Sequence, residues 1–406
     1  MPNSDHFRID ARDGSARAGV LLCAHGPVET PAFVPLATSA TVKGLDSAEV
    51  EALGFQMVLG NTFHLFIQPG HELIDDLGGL HEFMAWQRPI ITDSGGFQVF
   101  SMGHGSVAEE IKGSRTNERK SRILEISEEG VRFRSYIDGD EKFMGPETSM
   151  EIQAALGSDV ALAFDECTPF HVDRDYTARS TERTHRWLDR CVEWHERHAP
   201  PGQMLYGIVQ GGVYEDLRVR SAERVAASPT QGIAVGGSLG QEKEQMREVV
   251  GWALRPAPEA KPRHLLGIGD VDDILASVAA GIDTFDCATP TRLARHGTAL
   301  VPDPDARWRL DLAKSRWRKS REPIVDGCPC VACRDGDYSR AYIHYLIKAG
   351  ELTAKRLLTL HNLTFMALLM DGVRAAIRSG TLGDYSARVL AGDGPYAPSA
   401  GARGCT

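Results

Sequence analysis

The sequence predicts a (β/α)8 TIM barrel, an α/β fold, carrying an inserted zinc-binding subdomain. Three observations lead there. Eight short apolar runs alternate with helix-periodic stretches, polar residues follow most runs at their C-terminal ends, and three of the eight cysteines crowd into one hexapeptide. Parallel strands covered on both faces read as short continuous apolar runs, which these are. A doubly wound open sheet is the alternative that the same alternation allows.

Taken in order, residues 6–31 read as an N-terminal hairpin. The eight runs are AFVPL (32–36), FQMVL (55–59), PIIT (89–92), VALAF (160–164), LYGIV (205–209), GIAV (232–235), HLLG (264–267) and IDTF (282–285). Helical periodicity fills most of the gaps, in SAEVEALG, TSMEIQAALG, a long stretch within 174–198, YEDLRVRSAERVAAS, EKEQMREVVGWAL and VDDILASVAAG. A charged segment and a second hairpin-like stretch occupy 104–146. The expected organisation is a catalytic barrel with its hairpin at 1–302, the metal subdomain at 303–361, a helix returning to the barrel at 362–385, and a flexible tail rich in Gly, Ala and Pro at 386–406.

With 406 residues, 42% hydrophobic and 25% charged, the chain can bury a full core. Its start has no signal-peptide pattern and no apolar run reaches the length of a membrane span, so a cytoplasmic location and no membrane contact are expected. A net charge of −10 argues against a protein that coats nucleic acid nonspecifically. Local charge differs: RWRLDLAKSRWRKSR (307–321) holds seven Lys or Arg against one Asp, with two tryptophans interleaved. That run suits either phosphate neutralisation or a solvated basic face.

Cys328, Cys330 and Cys333 in CPCVAC supply three thiolates around one tight turn, and a tetrahedral zinc needs a fourth ligand. His361 is the candidate, with His344 a second on spacing alone. Three Cys and one His leave no open position, which makes the site structural, with about one Zn2+ per chain. A redox CxxC would leave Cys328 unexplained.

The residues after the strands suit a purine. An ionised carboxylate only accepts, so Asp165 matches the N1–H and N2–H donors of guanine, while the Gln210 amide and the backbone at Gly237 can donate to O6. Phe97 can stack on the ring or belong to the core. Asp93 and Asp286, after the third and eighth strands, are a carboxylate pair suited to cleaving a glycosidic bond with retention. Arg292 and Arg295 follow Asp286 closely enough to hold flanking phosphates, or they pair with acidic neighbours.

Seven further stretches stand out: GNTFHL (60–65), TDSGGFQVFSMG (92–103), FDECTPF (164–170), YGIVQGG (206–212), LLGIGDVDDI (265–274), TFDCATPTRLARHG (284–297), and CPCVAC followed by YSRAYIHYL and HNL. From about residue 6 to about 380 the chain resembles the tRNA-guanine transglycosylases on these motifs. The resemblance implies that Asp286 is the nucleophile at the ribose anomeric carbon and Asp93 the general acid and base. It implies that Asp165, Gln210 and the Gly237 amide read the base, that Phe97 stacks on it and that Asn61 contacts the ribose. Arg292, Arg295 and Asp273 match positions that hold anticodon-loop nucleotides. The implied reaction is ping-pong: guanine leaves the wobble position of tRNA and a 7-deazaguanine enters, with no redox cofactor or nucleoside triphosphate. A homodimer and a zinc insert after the eighth strand are implied as well.

Three departures from the family pattern bear on this. His361 lies 28 residues after Cys333, two more than the family spacing, and alignment on YSRAY absorbs the difference. The segment 104–122 is longer than in the family and has no assigned role. VGGSLG (235–240) is one residue shorter than the family's loop against the 7-substituent. The entering base is therefore 7-aminomethyl-7-deazaguanine or queuine, and Gln241 or Glu242 lies near it. A noncatalytic tRNA-binding subunit is the competing reading from another class, although such a subunit would be expected to lack Asp93 or Asp286.

Overall fold

The computed structural model describes residues 6–104, 122–168 and 172–396. Most of the 104–122 segment and the last ten residues of the predicted tail lie outside them. Three antiparallel strands come first: β1 (Phe7–Asp13), β2 (Ala16–Cys23) and β3 (Gly26–Thr30). The predicted hairpin thus gains a third strand, because the chain turns at Ala24 and His25 and pairs Thr30 back on Gly19.

The barrel begins with β4 (Ala32–Ala37), β5 (Val58–Gly60) and β6 (Ile90–Thr92). A second small antiparallel sheet, β7 (Ile123–Ile126), β8 (Val131–Arg134) and β9 (Glu141–Met144), interrupts it. The barrel then resumes with β10 (Val160–Leu162), β11 (Met204–Val209), β12 (Gly232–Val235), β13 (Arg263–Leu265) and β14 (Thr284–Cys287). Each falls on one of the eight predicted runs. Parallel pairing of β14 with β4, Asp286 opposite Val34, closes the sheet and excludes the open alternative.

Side-chain alternation divides the barrel strands between two cores. Val34, Leu59, Ile91, Leu162, Tyr206 and Ile208 fill the interior, joined by Phe7, Ile9, Leu21 and Val28 of the first sheet. Phe33, Val58, Ile90, Leu205, Ile233, Leu265 and Phe285 belong to the larger core shared with the helices. The first sheet plugs the N-terminal ends of the strands. Arg17, 1% exposed, pairs there with the fully buried Asp283 at 2.5 Å, and Asp159 accepts the His25 and Ile90 amides at 2.8 Å each. The rings of His25 and His81 stack at 3.6 Å beside the same carboxylate. Burial alone would raise the Asp159 pKa, but the hydrogen bonds from His81, Ile90 and His25 outweigh it and hold the group below its ordinary value.

After β14 comes a short helix, Thr289–Arg295, then the insert: β15 (Thr298–Leu300), β16 (Arg309–Asp311), two 3-10 turns and a helix, Arg340–Ala349. One uninterrupted helix, Leu352–Ser379, carries His361 and continues against Thr289–Arg295 and strands β1, β2 and β4. The expected boundary at 361/362 therefore falls inside a single element: no proline breaks it, and Gly380, at φ 67°, ends it. Likewise Leu382–Leu390 is helical, burying Leu382 and Val389, where the sequence reading places the start of the tail. Composition misleads there because the Gly and Pro lie mostly beyond that amphipathic turn. Among the described residues, no helix is long and apolar enough to cross a membrane.

Candidate active site and metal centre

Three carboxylates converge at the C-terminal ends of the barrel strands, Asp93 after β6, Asp165 after β10 and Asp286 in β14. Asp93 follows β6, where one oxygen accepts the Thr62 amide at 2.8 Å and the other accepts the Asn61 side-chain amide. Asn61 is held in turn as the N-cap of helix Thr62–Ile67, its own oxygen accepting from the His64 amide at 2.9 Å. Burial raises the Asp93 pKa to about 7; the Thr62 and Gly95 amides oppose this, and the charges of Asp286 and Asp165 add to it. Such a group can give or take a proton near neutral pH.

Asp165 lies just beyond β10 and is 4% exposed. It accepts from Ser94 Oγ and from Gln210 Nε2, both at 2.6 Å, and burial pushes its pKa up to about 6. The second polar atom of the amide, Gln210 Oε1, is buried and has no partner among the described residues. Gly237 sits against it with φ 76°, and a Cβ there would meet Gln210 Oε1 at 2.2 Å, so the approach requires glycine. Asp286, at the end of β14, accepts on Oδ1 from His264 Nε2 and from the Gly267 amide, both at 3.1 Å.

The other expected site residues fall out unevenly. Phe97 is 44% exposed, so it is not a core residue and its ring is available for stacking. Arg292 is exposed and Arg295 partly so, and among the described residues neither makes an ion pair. Burial and the charge of Arg292 lower the Arg295 pKa. Asp273, by contrast, is 7% exposed and paired with Lys243 at 3.1 Å on helix Val271–Ala280. Gln241 and Glu242 are both exposed before helix Lys243–Leu254.

Four contributors were not anticipated: Ser94, Thr62, His264 and Arg218. Arg218 is fully buried and donates to the carbonyls of Val209, Gly212, Gly236 and Ser238 at 2.7–2.9 Å. It thereby clamps the loops after β11 and β12, and burial lowers its pKa to about 10. Its signal was a cation on the buried face of helix Glu215–Ala227, in line with Ser221, Ala222 and Val225.

In the insert, His361 Nδ1 lies 3.7, 3.3 and 3.3 Å from the sulfurs of Cys328, Cys330 and Cys333, and all four residues are buried. Tetrahedral zinc with ordinary bond lengths would separate sulfur and nitrogen by about 3.5 Å, so the group fits such an ion. His361 Nε2 faces the Leu300 carbonyl at 2.7 Å, the outer contact that orients a metal-ligating imidazole. His344 is not the fourth ligand: the ligand atoms brought together are those of Cys328, Cys330, Cys333 and His361, and His344 lies outside that group, its Nδ1 facing the Leu312 carbonyl at 2.8 Å.

A closed parallel barrel with three carboxylates gathered at its strand ends, Asp93 and Asp165 among them raised in pKa, and an insert whose Cys3His group fits a metal, is the arrangement of a barrel enzyme with its site at the C-terminal ends of the strands. The sequence model of the family described as "Queuine tRNA-ribosyltransferase" matches residues 12–393. A protein of that name from Roseiflexus sp. (strain RS-1) is 50% identical over 396 residues, covering 95% of this chain and 98% of its own. One from Pelotomaculum thermopropionicum is 47% identical over 379 residues, covering 93% and 95%, and one from Bacillus subtilis (strain 168) is 42% identical over 386, covering 95% and 94%. The chain belongs to the queuine tRNA-ribosyltransferase family and is a pentosyltransferase.

Proposed function

We propose that this enzyme exchanges the wobble guanine of tRNA for a 7-deazaguanine, 7-aminomethyl-7-deazaguanine first and queuine as the next candidate, by double displacement through a covalent intermediate on Asp286. The observation that carries this is the convergence of Asp93, Asp165 and Asp286 in one mouth, with Asp93 brought to about 7. An Asp286 oxygen bonds to ribose C1′ as the C1′–N9 bond breaks, its electron pair leaving with guanine while Asp93 supplies the proton. In the return step Asp93 takes the N9 proton of the entering base, N9 bonds to C1′, and the carboxylate of Asp286 is released.

Asp165 and Gln210, bonded to each other at 2.6 Å, receive the guanine edge beside the Gly237 backbone, with Phe97 stacked above. Asn61 holds Asp93 and reaches the ribose from there. Arg292 and Arg295, without ion-pair partners among the described residues, suit tRNA phosphates, and Asp273 would act from its pair with Lys243. The Cys328, Cys330, Cys333 and His361 group is assigned to a structural zinc. A cytoplasmic homodimer completes the proposal.

The deciding experiment offers 7-aminomethyl-7-deazaguanine, queuine and, as a third 7-deazaguanine with a different 7-substituent, 7-cyano-7-deazaguanine separately with guanosine-containing tRNA and weighs the product nucleoside. Incorporation of the aminomethyl base is expected, and tRNA unchanged with all three would overturn base exchange. Acid should also weaken recognition. Asp165 can accept from N1–H and N2–H together only when ionised, since protonation turns one of its oxygens into a donor, and burial pushes its pKa up to about 6, so guanine affinity is expected to hold above that pH and to fall by about tenfold per unit below it. Guanine affinity measured by competition as pH falls tests this, and a flat profile would remove Asp165 from base reading.

A further inference from the structure

We propose that His264 is a positioning residue that selects which oxygen of Asp286 attacks and favours release of that carboxylate in the return step. The proposal rests on the nucleophile assignment for Asp286. His264, Thr284 and Asp286 lie on adjacent strands: His264 pairs in register with Thr284, and Asp286 is two residues further along the same strand face. The imidazole is fully buried. Its Nδ1 is 2.8 Å from Thr284 Oγ1 and its Nε2 is 3.1 Å from Asp286 Oδ1.

The proton positions follow from the partners. An ionised carboxylate cannot donate, so Nε2 carries the hydrogen, and in a neutral ring Nδ1 accepts from the Thr284 hydroxyl. The Gly267 amide donates to the same Oδ1 at 3.1 Å. Among the described residues Oδ2 has no hydrogen-bond partner. Oδ2 is therefore the free oxygen that forms the bond to ribose C1′, and Oδ1 becomes the ester carbonyl.

A donor binds a carboxylate more strongly than an ester carbonyl, because the charge is larger. His264 and Gly267 consequently favour the state in which the C1′–Oδ2 bond has broken and the electron pair has returned to Asp286. They act as an oxyanion hole acts on developing charge. Removal of the His264 donor slows release more than attack, and the covalent adduct accumulates. A purely structural defect would depress both steps and base binding together.

The test compares His264→Phe, which lacks the donor, with His264→Gln, whose amide can replace it at similar reach. For His264→Phe the exchange kcat is expected to fall about 10- to 100-fold with KM for the entering base within about twofold of wild type. The fraction of enzyme trapped as tRNA adduct at steady state should rise, and His264→Gln should restore most of both. An unchanged kcat and adduct fraction in His264→Phe, or loss of adduct and base binding alike in both variants, overturns the proposal. Asp286→Asn run alongside separates the two claims. Persistence of the adduct in that variant removes the nucleophile assignment itself, whereas its loss together with wild-type behaviour of His264→Phe removes only the role of His264.

Discussion

Asp286→Asn is expected to abolish the trapped tRNA adduct and to lower guanine exchange by at least about 10^4-fold, since a covalent route has no substitute for its nucleophile. The substitution is nearly isosteric, and the amide oxygen can still accept from His264 and the Gly267 amide, now 3.1 Å from Oδ1. Folding and guanine binding should therefore survive. Denaturing gels of enzyme incubated with tRNA report the adduct, and tritiated guanine exchange reports the rate. An adduct of undiminished yield would exclude Asp286 as nucleophile and point to Asp93, which shares the mouth and senses the Asp286 charge.

The second large effect is structural. Cys333→Ser is expected to lose the bound metal and the order of the insert, because the apparent binding free energy of a structural zinc, about 10–16 kcal/mol, is also folding free energy. The four residues join the turn at 328–333 to helix Leu352–Ser379, and a variant that cannot complete the ligand set loses that cross-link. Metal analysis should give about one zinc per wild-type chain and none in the variant. Limited proteolysis should cut the variant between β16 and residue 352 while leaving the barrel intact. A metal-free wild type that resists protease as well as the loaded protein would refute a structural metal.

Much of this molecule was legible before folding was considered. Eight buried parallel strands leave eight apolar runs, and a barrel puts its chemistry after them, so Asp93, Asp165, Gln210 and Asp286 could be picked out by position. Three clustered cysteines have the chemistry of a metal site by themselves. The boundaries were harder. A helix such as Leu352–Ser379 serves the insert at one end and the barrel at the other, and no residue along it marks the change.

His264 and Arg218 show why the rest was not legible. Neither stands at a strand end or in a cysteine cluster; HLL reads as an ordinary strand and Arg218 as one of several cations on a helix. Their roles arise only when β13 is laid beside β14, and when one helix brings a guanidinium beneath two loops. Phe97 and Asp273 make the same point in opposite directions, one exposed at 44% and one buried at 7%.

Residue type and spacing along the chain thus determine the strand pattern, the polar groups that follow each strand and the thiol cluster, because these are local properties that periodicity and chemistry express directly. Closure of the barrel, the gathering of His361 and not His344 with the three cysteines, the pKa of about 7 at Asp93 and the pairing of Asp165 with Gln210 depend on groups distant in sequence. Burial and charge–charge interaction are set by neighbours in space, and only the folded chain supplies them.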